Sequence, residues 1–481
     1  MALTTEQEEK VKRIIEAFDN GKRLSDLPTI KGSNPFDLMV EVLDTDGESK
    51  KSTIAAMLPY AEQTCMYGVE FDTSVSSSDV TRIGNSDLHK SLPIQNRMRG
   101  CLLNDNGEVV EYLNPSDWRG NVRDGSRGQV MVELPLFYAK FETDGTKRRV
   151  KMSEYPLPGY MVFPKRYVSA YQATVQRSKT MLASVANNTE DYRGGNNNAT
   201  WDGEDRSLLG MPASSINRMN FRNYARKRKA GSAEWNCMVY DIQKELYWLF
   251  VVEYATLHSQ KAFNAQLSAE GFRQGGLGAG VSNLNGTKWN EWNAYNPFIP
   301  CGYTDELGNA TGVKEFIMPE GYNNGEGLVV SVPRYHGIEN PFAHLYQWTD
   351  GVNVRINPTE ENGGNGLSEV FVCDDPSLFS DNGYEGYHHV GNLPRTEGWM
   401  KEAVFGEEGD IVPAMVGGGS TTYHCDYFYT NIPTTTTLRG LLFGGGASYG
   451  ARCGFACASS LYAPTHASAH IGSRLCFLPQ S

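Results

Sequence analysis

The sequence predicts an α+β protein of many short strands and long loops, with two helices and a small helix-and-hairpin segment ahead of them. Three observations lead there. The 481 residues include 50 Gly and 25 Tyr, which favours turns and pleated, half-buried surfaces. Apolar runs bounded by Asn-Gly and Asp-Gly pairs fill 61–152, as expected for hairpins. Helical periodicity is confined to a few segments and fades beyond Gly271. At 53.3 kDa the chain exceeds one ordinary core, so two units are expected, 1–60 and 61–481.

Charge narrows the function. Lys+Arg number 44 and Asp+Glu 56, a net charge of -12, which argues against nucleic acid as a partner. Hydrophobic residues at 40% and charged residues at 21% fit a folded chain rather than a disordered one. No apolar run approaches the roughly 20 residues of a membrane span, and MALTTEQEEKVKR has no apolar signal region. Nine Cys without a CxxC pair read as buried free thiols in a reducing compartment.

Taken in order, Thr5 and Glu8 have capping-box spacing and Val11, Ile14, Ile15 and Phe18 share one helical face, with Gly21 as the stop. Such a short helix is marginal alone, so its stripe needs a partner. Leu38–Leu43 reads as a strand, Asp44-Thr45-Asp46-Gly47 as a turn rather than a calcium loop, and Thr53–Leu58 as a short helical piece. The polar hairpin before Lys50-Lys51 and Thr53-Ile54-Ala55 resembles the N-terminal pattern of phage tail-fibre proteins. Asn106-Gly107 between Leu102-Leu103 and Val109-Val110 is a hairpin signal. Val130–Tyr138 alternates, and Asp144-Gly145 turns the chain into Arg148–Met152. Residues 187–205 are Gly/Asn-rich and read as an exposed loop. The first helix is expected over Ser215–Arg228 with Ile216, Met219 and Tyr224 inward. The second carries Val239, Ile242, Leu246, Leu249 and Phe250 on one face.

Catalytic patterns are missing: there is no GxxxxGK[ST], HExxH or GxSxG. The glycine run Gly275–Gly280 lacks a strand–turn–helix context, and His388-His389 point to opposite faces of a strand. No catalytic residue, metal site or cofactor is therefore expected. The informative stretch is Ile432–Pro479, which contains no Asp, Glu, Lys, Asn, Gln, Met or Trp. Average composition would place ~10 charged residues in such a window; it has Arg439, Arg452 and Arg474. Leu441-Leu442-Phe443 and Leu475-Cys476-Phe477-Leu478 read as buried strands at its two ends. Between them Gly, Ala and Ser alternate with Tyr449, Arg452, Tyr462, His466 and His470. That pattern fits either a Gly/Ala-rich packed core or a binding surface of tyrosines among small adaptable residues.

Leu438-Arg439-Gly440-Leu441-Leu442-Phe443-Gly444-Gly445, the Ala/Ser/Tyr-rich stretch and Ile471-Gly472-Ser473-Arg474-Leu475-Cys476-Phe477 resemble the variable proteins of diversity-generating retroelements. Upstream, Ser215-Ile216-Asn217 with Tyr224-Ala225, Leu249 through Glu253-Tyr254-Ala255-Thr256, Tyr335–Phe342 and Trp348-Thr349-Asp350-Gly351 extend the resemblance from about Gly68 to the C-terminus. It implies a C-type-lectin-like fold of the formylglycine-generating-enzyme kind. It also implies that adenine mutagenesis of AAY-type codons varies fixed exposed positions; such codons do not yield Lys, Glu, Gln, Met or Trp, all absent here. Two family chemistries do not carry over. Trp289-Asn290-Glu291 and Trp292-Asn293-Ala294 do not match the EPN and WND calcium-lectin triplets. Cys453 and Cys457 are one residue closer than the copper-site cysteines of the formylglycine-generating oxidases.

The resulting expectation is a non-enzymatic bacteriophage receptor-binding protein of the tail or another surface fibre, made in the host cytoplasm. It would recognise a glycan or protein on the host surface, attach to other virion proteins through 1–60 and form a homotrimer, without membrane insertion. The alternatives are a formylglycine-generating-type oxidase and a structural decoration or head fibre. The expected binding region is 432–479, with Tyr449, Arg452, Leu461, Tyr462, His466 and His470 exposed and Ser448, Ser459, Thr465 and Ser468 between them. Tyr423, Asp426, Tyr427 and Tyr429 would extend it, over a core that includes Leu441, Leu442, Leu475 and Phe477.

Overall fold

Strands carry this architecture, and helices are few, so the α+β reading holds at that level. A computed structural model describes residues 61–195, 209–269, 271, 273–277, 299–317 and 329–479, and the backbone of 39–43 and 49–53. The expected helix near the N-terminus, residues 54–58, 196–208 of the polar loop, Gly278–Gly280 and the Trp289 and Trp292 words lie outside the described residues. Met39–Leu43 and Ser49–Thr53 pair antiparallel across the expected turn, Leu43 opposite Ser49. Thr53 thus closes a strand rather than opening a helix.

Three large sheets follow. One runs, in spatial order, Met161–Phe163, Phe137–Asp144, Lys147–Ser153, Met66–Asp72, Thr81–Gly84. A second runs Trp235–Cys237, Leu475–Phe477, Arg166–Ser169, Gln129–Leu134, Arg99–Leu103, Val109–Tyr112. The C-terminal strand is therefore interior to a sheet built mostly from the first third of the chain. Gly107 shows how tightly: at φ +86 it turns the expected hairpin, and a Cβ there would meet the Phe477 ring at 2.0 Å. Val130–Tyr138 is not one alternating strand. Gln129–Leu134 is buried on both faces, and after Pro135 the chain enters the other sheet at Phe137, because proline cannot donate to a continuing ladder.

The third sheet holds the C-terminal half. Its order is His388–Asn392, Ser368–Val372, Tyr346–Ile356, Thr437–Gly444, Gly454–Ser459, Tyr427–Tyr429, Gly398–Phe405, Asp410–Val416. Ile471–Gly472 pairs in parallel with Tyr346-Gln347. Both histidines at 388–389 are exposed.

The Tyr240–Tyr254 helix was expected to present one apolar face. It is instead enclosed, with twelve of its residues buried, Gln243, Lys244 and Glu245 among them. Three of its polar side chains bond to the surrounding protein: Trp248 Nε1 donates to Gly409 O at 2.6 Å, Gln243 Nε2 to Phe455 O at 2.7 Å, and Tyr240 to Asp410 at 2.9 Å. The other helix, Arg218–Arg226, is capped by Asn217, whose side chain accepts from Asn220 N–H. Of the expected inward residues Ile216 is buried, but the helix face itself differs. Met219 is 42% exposed and Tyr224 half-buried, while Arg218, Phe221, Arg222 and Ala225 face in. A periodicity argument places arginines outside by default; these two turn inward because carboxylates meet them.

Leu441, Leu442, Leu475 and Phe477 are all buried, as expected. Leu442 belongs to the core that includes Trp348, Tyr346 and Cys457. Leu442→Ala is expected to lower unfolding free energy by about 2–5 kcal/mol, read from denaturant titration; a change below about 1 kcal/mol would contradict this packing.

Candidate functional site

The stretch 432–479 resolves into a scaffold and two loops. Thr437–Gly444 and Gly454–Ser459 are antiparallel neighbours, with Phe443 opposite Ala458. Small residues are required because backbones and large rings crowd them. A Cβ on Gly440 would stand 2.7 Å from the Trp348 ring, and one on Gly445, at φ +76, 2.4 Å from Cys453 Sγ. From this scaffold emerge the 3-10 segment Ala447–Arg452 and the loop 460–470.

Those loops meet the Tyr427–Tyr429 strand. Alternation sends Phe428 into the core and Tyr427 and Tyr429 to the other face. Their rings lie 4.7 Å apart, Tyr429 is 5.0 Å from Tyr449, and Tyr449 is 5.5 Å from Tyr346. Tyr346 is 6.3 Å from His470, and Tyr462 stacks on His466 at 4.0 Å with 4° between the planes. Tyr462 also stands 6.5 Å from His470. Edge-to-face contacts of this kind add to simple area burial. Arg452 is exposed, with its guanidinium carbon 4.9 Å from the centroid of the Tyr427 ring and Nη1 donating to Tyr429 Oη at 3.4 Å. The result is one continuous band of rings and a guanidinium, drawn from four chain segments.

Most of the expected binding residues come together here. Tyr449, Leu461, Tyr462, His466, Ser468 and His470 are partly exposed, and Ser448, Arg452 and Thr465 are exposed. Ser468 Oγ and His470 Nδ1 are 2.9 Å apart.

Four expectations are corrected. Ser459 is 2% exposed, because it lies on the central strand rather than in a loop. Asp426 is 1% exposed, and Oδ2 accepts from Ala456 N–H at 2.9 Å; burial raises its carboxyl well above the ordinary range. Tyr429 is 7% exposed and contributes its hydroxyl to Arg452 more than a surface of its own. Tyr423 stands apart from the band. It has a left-handed backbone at φ +58 and lines a separate cavity of about 260 Å³ with Phe71, Lys401 and His424.

Sequence reasoning missed Trp399 and Tyr346. Trp399 pairs with Tyr427 across the sheet, rings 5.5 Å apart. Only strand pairing brings it there, and nothing local in the chain signals it. Cys453 and Cys457 are free and buried. Their sulfurs have different neighbours, Gly446 O at 3.2 Å and Tyr346 Oη at 3.7 Å, and burial pushes both thiols up. Among the described residues no group of three or more His, Cys, Asp or Glu is placed to hold a metal, and no helix is long and apolar enough to cross a membrane.

Burial, and secondarily the neighbouring His466, push the His470 imidazole down to about 4. His470 is therefore expected to stay neutral from pH 8 to pH 5 and to gain its proton only below that. Ring-proton NMR titration checks this; a midpoint near the ordinary 6.5 would contradict the packing. No family model matches the chain, and no curated protein matches it.

Proposed function

We propose that the chain is a bacteriophage receptor-binding protein whose C-terminal part, a C-type-lectin-like domain, grips a host-surface ligand without catalysis. The observation that carries this is the band of Tyr427, Tyr449, Tyr462, His466 and Arg452, set on sheet and loop scaffolding whose apolar residues are buried beneath it. Rigid elements that hold aromatic, cationic and small polar side chains at one face are how recognition surfaces are built. The lectin-like reading is supported by the words that resemble the retroelement variable proteins. Trp348–Gly351 and Leu438–Gly445 lie on adjacent strands, and Ile471-Gly472 pairs with the first of them. In this reading residues 1–60 attach the protein to the virion and to its homotrimer partners. The test is competition: purified full-length protein added to host cells before the phage is expected to block adsorption in a concentration-dependent way. Undiminished adsorption at saturating protein would overturn the reading.

A further inference from the structure

Arg452 is exposed and, among the described residues, has no acidic partner. Among the described residues its polar contact is the Tyr429 hydroxyl, and its guanidinium carbon lies 4.9 Å from the centroid of the Tyr427 ring. Most other exposed arginines among the described residues are paired with carboxylates, such as Arg119 with Asp117 and Arg127 with Glu111, while Arg82 donates to the Glu253 backbone carbonyl. The stretch 432–479 has no Asp or Glu at all, although the chain carries a net charge of -12. Asp426 is buried beneath the band, and Glu397 accepts from Thr430 N–H. The band itself thus carries one guanidinium, Arg452, and no carboxylate, on an acidic protein.

The ring geometry restricts what can sit on it. A sugar ring would need a free aromatic face. The guanidinium of Arg452 lies 4.9 Å from the centroid of the Tyr427 ring, one face of Tyr462 carries His466 at 4.0 Å, and Tyr346 is buried behind Tyr449. Tyrosine rings, their hydroxyls and a guanidinium set close together are the side chains enriched where proteins meet proteins.

We infer that the band's partner is a protein surface that presents a carboxylate to Arg452, with apolar neighbours against Tyr449 and Tyr462. This rests on the band being the contact surface. The guanidinium is held in place before binding, so a carboxylate can engage it in a two-pronged, charge-assisted hydrogen bond at little ordering cost. The partner's own apolar side chains then exclude water around that pair.

The test uses the full-length protein and a displayed random peptide library as the probe, with neutral and uronic-acid oligosaccharides in a parallel arm. Enriched peptides are expected to carry Asp or Glu well above their frequency in the input. Their binding is expected to fall roughly tenfold or more in Arg452→Gln, to survive in part in Arg452→Lys, and to weaken with salt. Enrichment with no acidic bias, or peptide binding that Arg452→Gln leaves unchanged, would overturn the inference. So would Arg452-dependent binding of the oligosaccharides with no peptide enriched. The two readings separate cleanly. If Tyr449→Ala abolishes host-cell binding while peptides show no acidic bias, the band stands and the acidic partner falls. If Tyr449→Ala leaves host-cell binding intact, the band itself falls.

Discussion

Arg218→Met is expected to destabilise the protein by about 3–5 kcal/mol. Arg218 is fully buried. Its Nε donates to Asp381 at 2.7 Å, Nη2 to Asn353 Oδ1 at 2.7 Å, and Nη1 to Val352 O at 2.8 Å. Arg222 donates to Asp350 at 2.6 Å and also to Asp381. The loss is large because removal strands two carboxylates on one remaining guanidinium and leaves the Val352 carbonyl and the Asn353 side chain without that donor. Arg218→Met with Asp381→Leu is expected to recover part of the deficit, since an apolar pair leaves no unmatched charge. Denaturant titration of the single and double variants checks both. Acid should act on the same network. Burial raises the Asp381 carboxyl, but Arg218 and then Arg222 outweigh it and hold it below the ordinary carboxylate range. Its folded value thus lies below its unfolded one. Its contribution is present above about pH 4 and is lost as pH falls through the folded value.

The second large effect is on recognition. Tyr449→Ala and Tyr462→Ala are each expected to weaken binding of the soluble protein to host cells by on the order of 2 kcal/mol or more, roughly 30-fold. Tyr449 touches Tyr429 and Tyr346 in the band, so its loss opens the centre rather than the rim. Tyr462 aligns His466, so truncating it removes two rings from the contact. Both are only partly buried, which is why their truncation should cost far less stability than Leu442→Ala. Binding isotherms on cells give the first number and thermal melts the second.

Legibility in the sequence followed the range of the forces involved. Short-range signals read well. The Asn106-Gly107 hairpin, the strands flanking the acid-free stretch and the buried leucines were all accessible, because turn chemistry and apolar runs are local. Errors arose where tertiary pairing decides. Nothing local marks Arg218 and Arg222 as buried; Asp350 and Asp381, more than a hundred positions away, turn them inward. Ser459 read as a loop residue because Ser, Ala and Cys give no strand signal, yet Gly454–Ser459 is buried throughout. Asp426 sat one residue from a tyrosine of the band, but strand alternation sends Asp426 and Phe428 to the buried face. Trp399 could not be placed at all without its sheet partner.

The most direct test of the account is adsorption by phage particles carrying Tyr449→Ala together with Tyr462→Ala, with the melting temperature of the same variant protein measured alongside. The account predicts a protein that melts within a few degrees of the parent and particles that adsorb at least tenfold less well. Particles that adsorb like the parent, or a variant protein that no longer folds, would contradict it and leave the tyrosines as packing residues of a Gly/Ala-rich core.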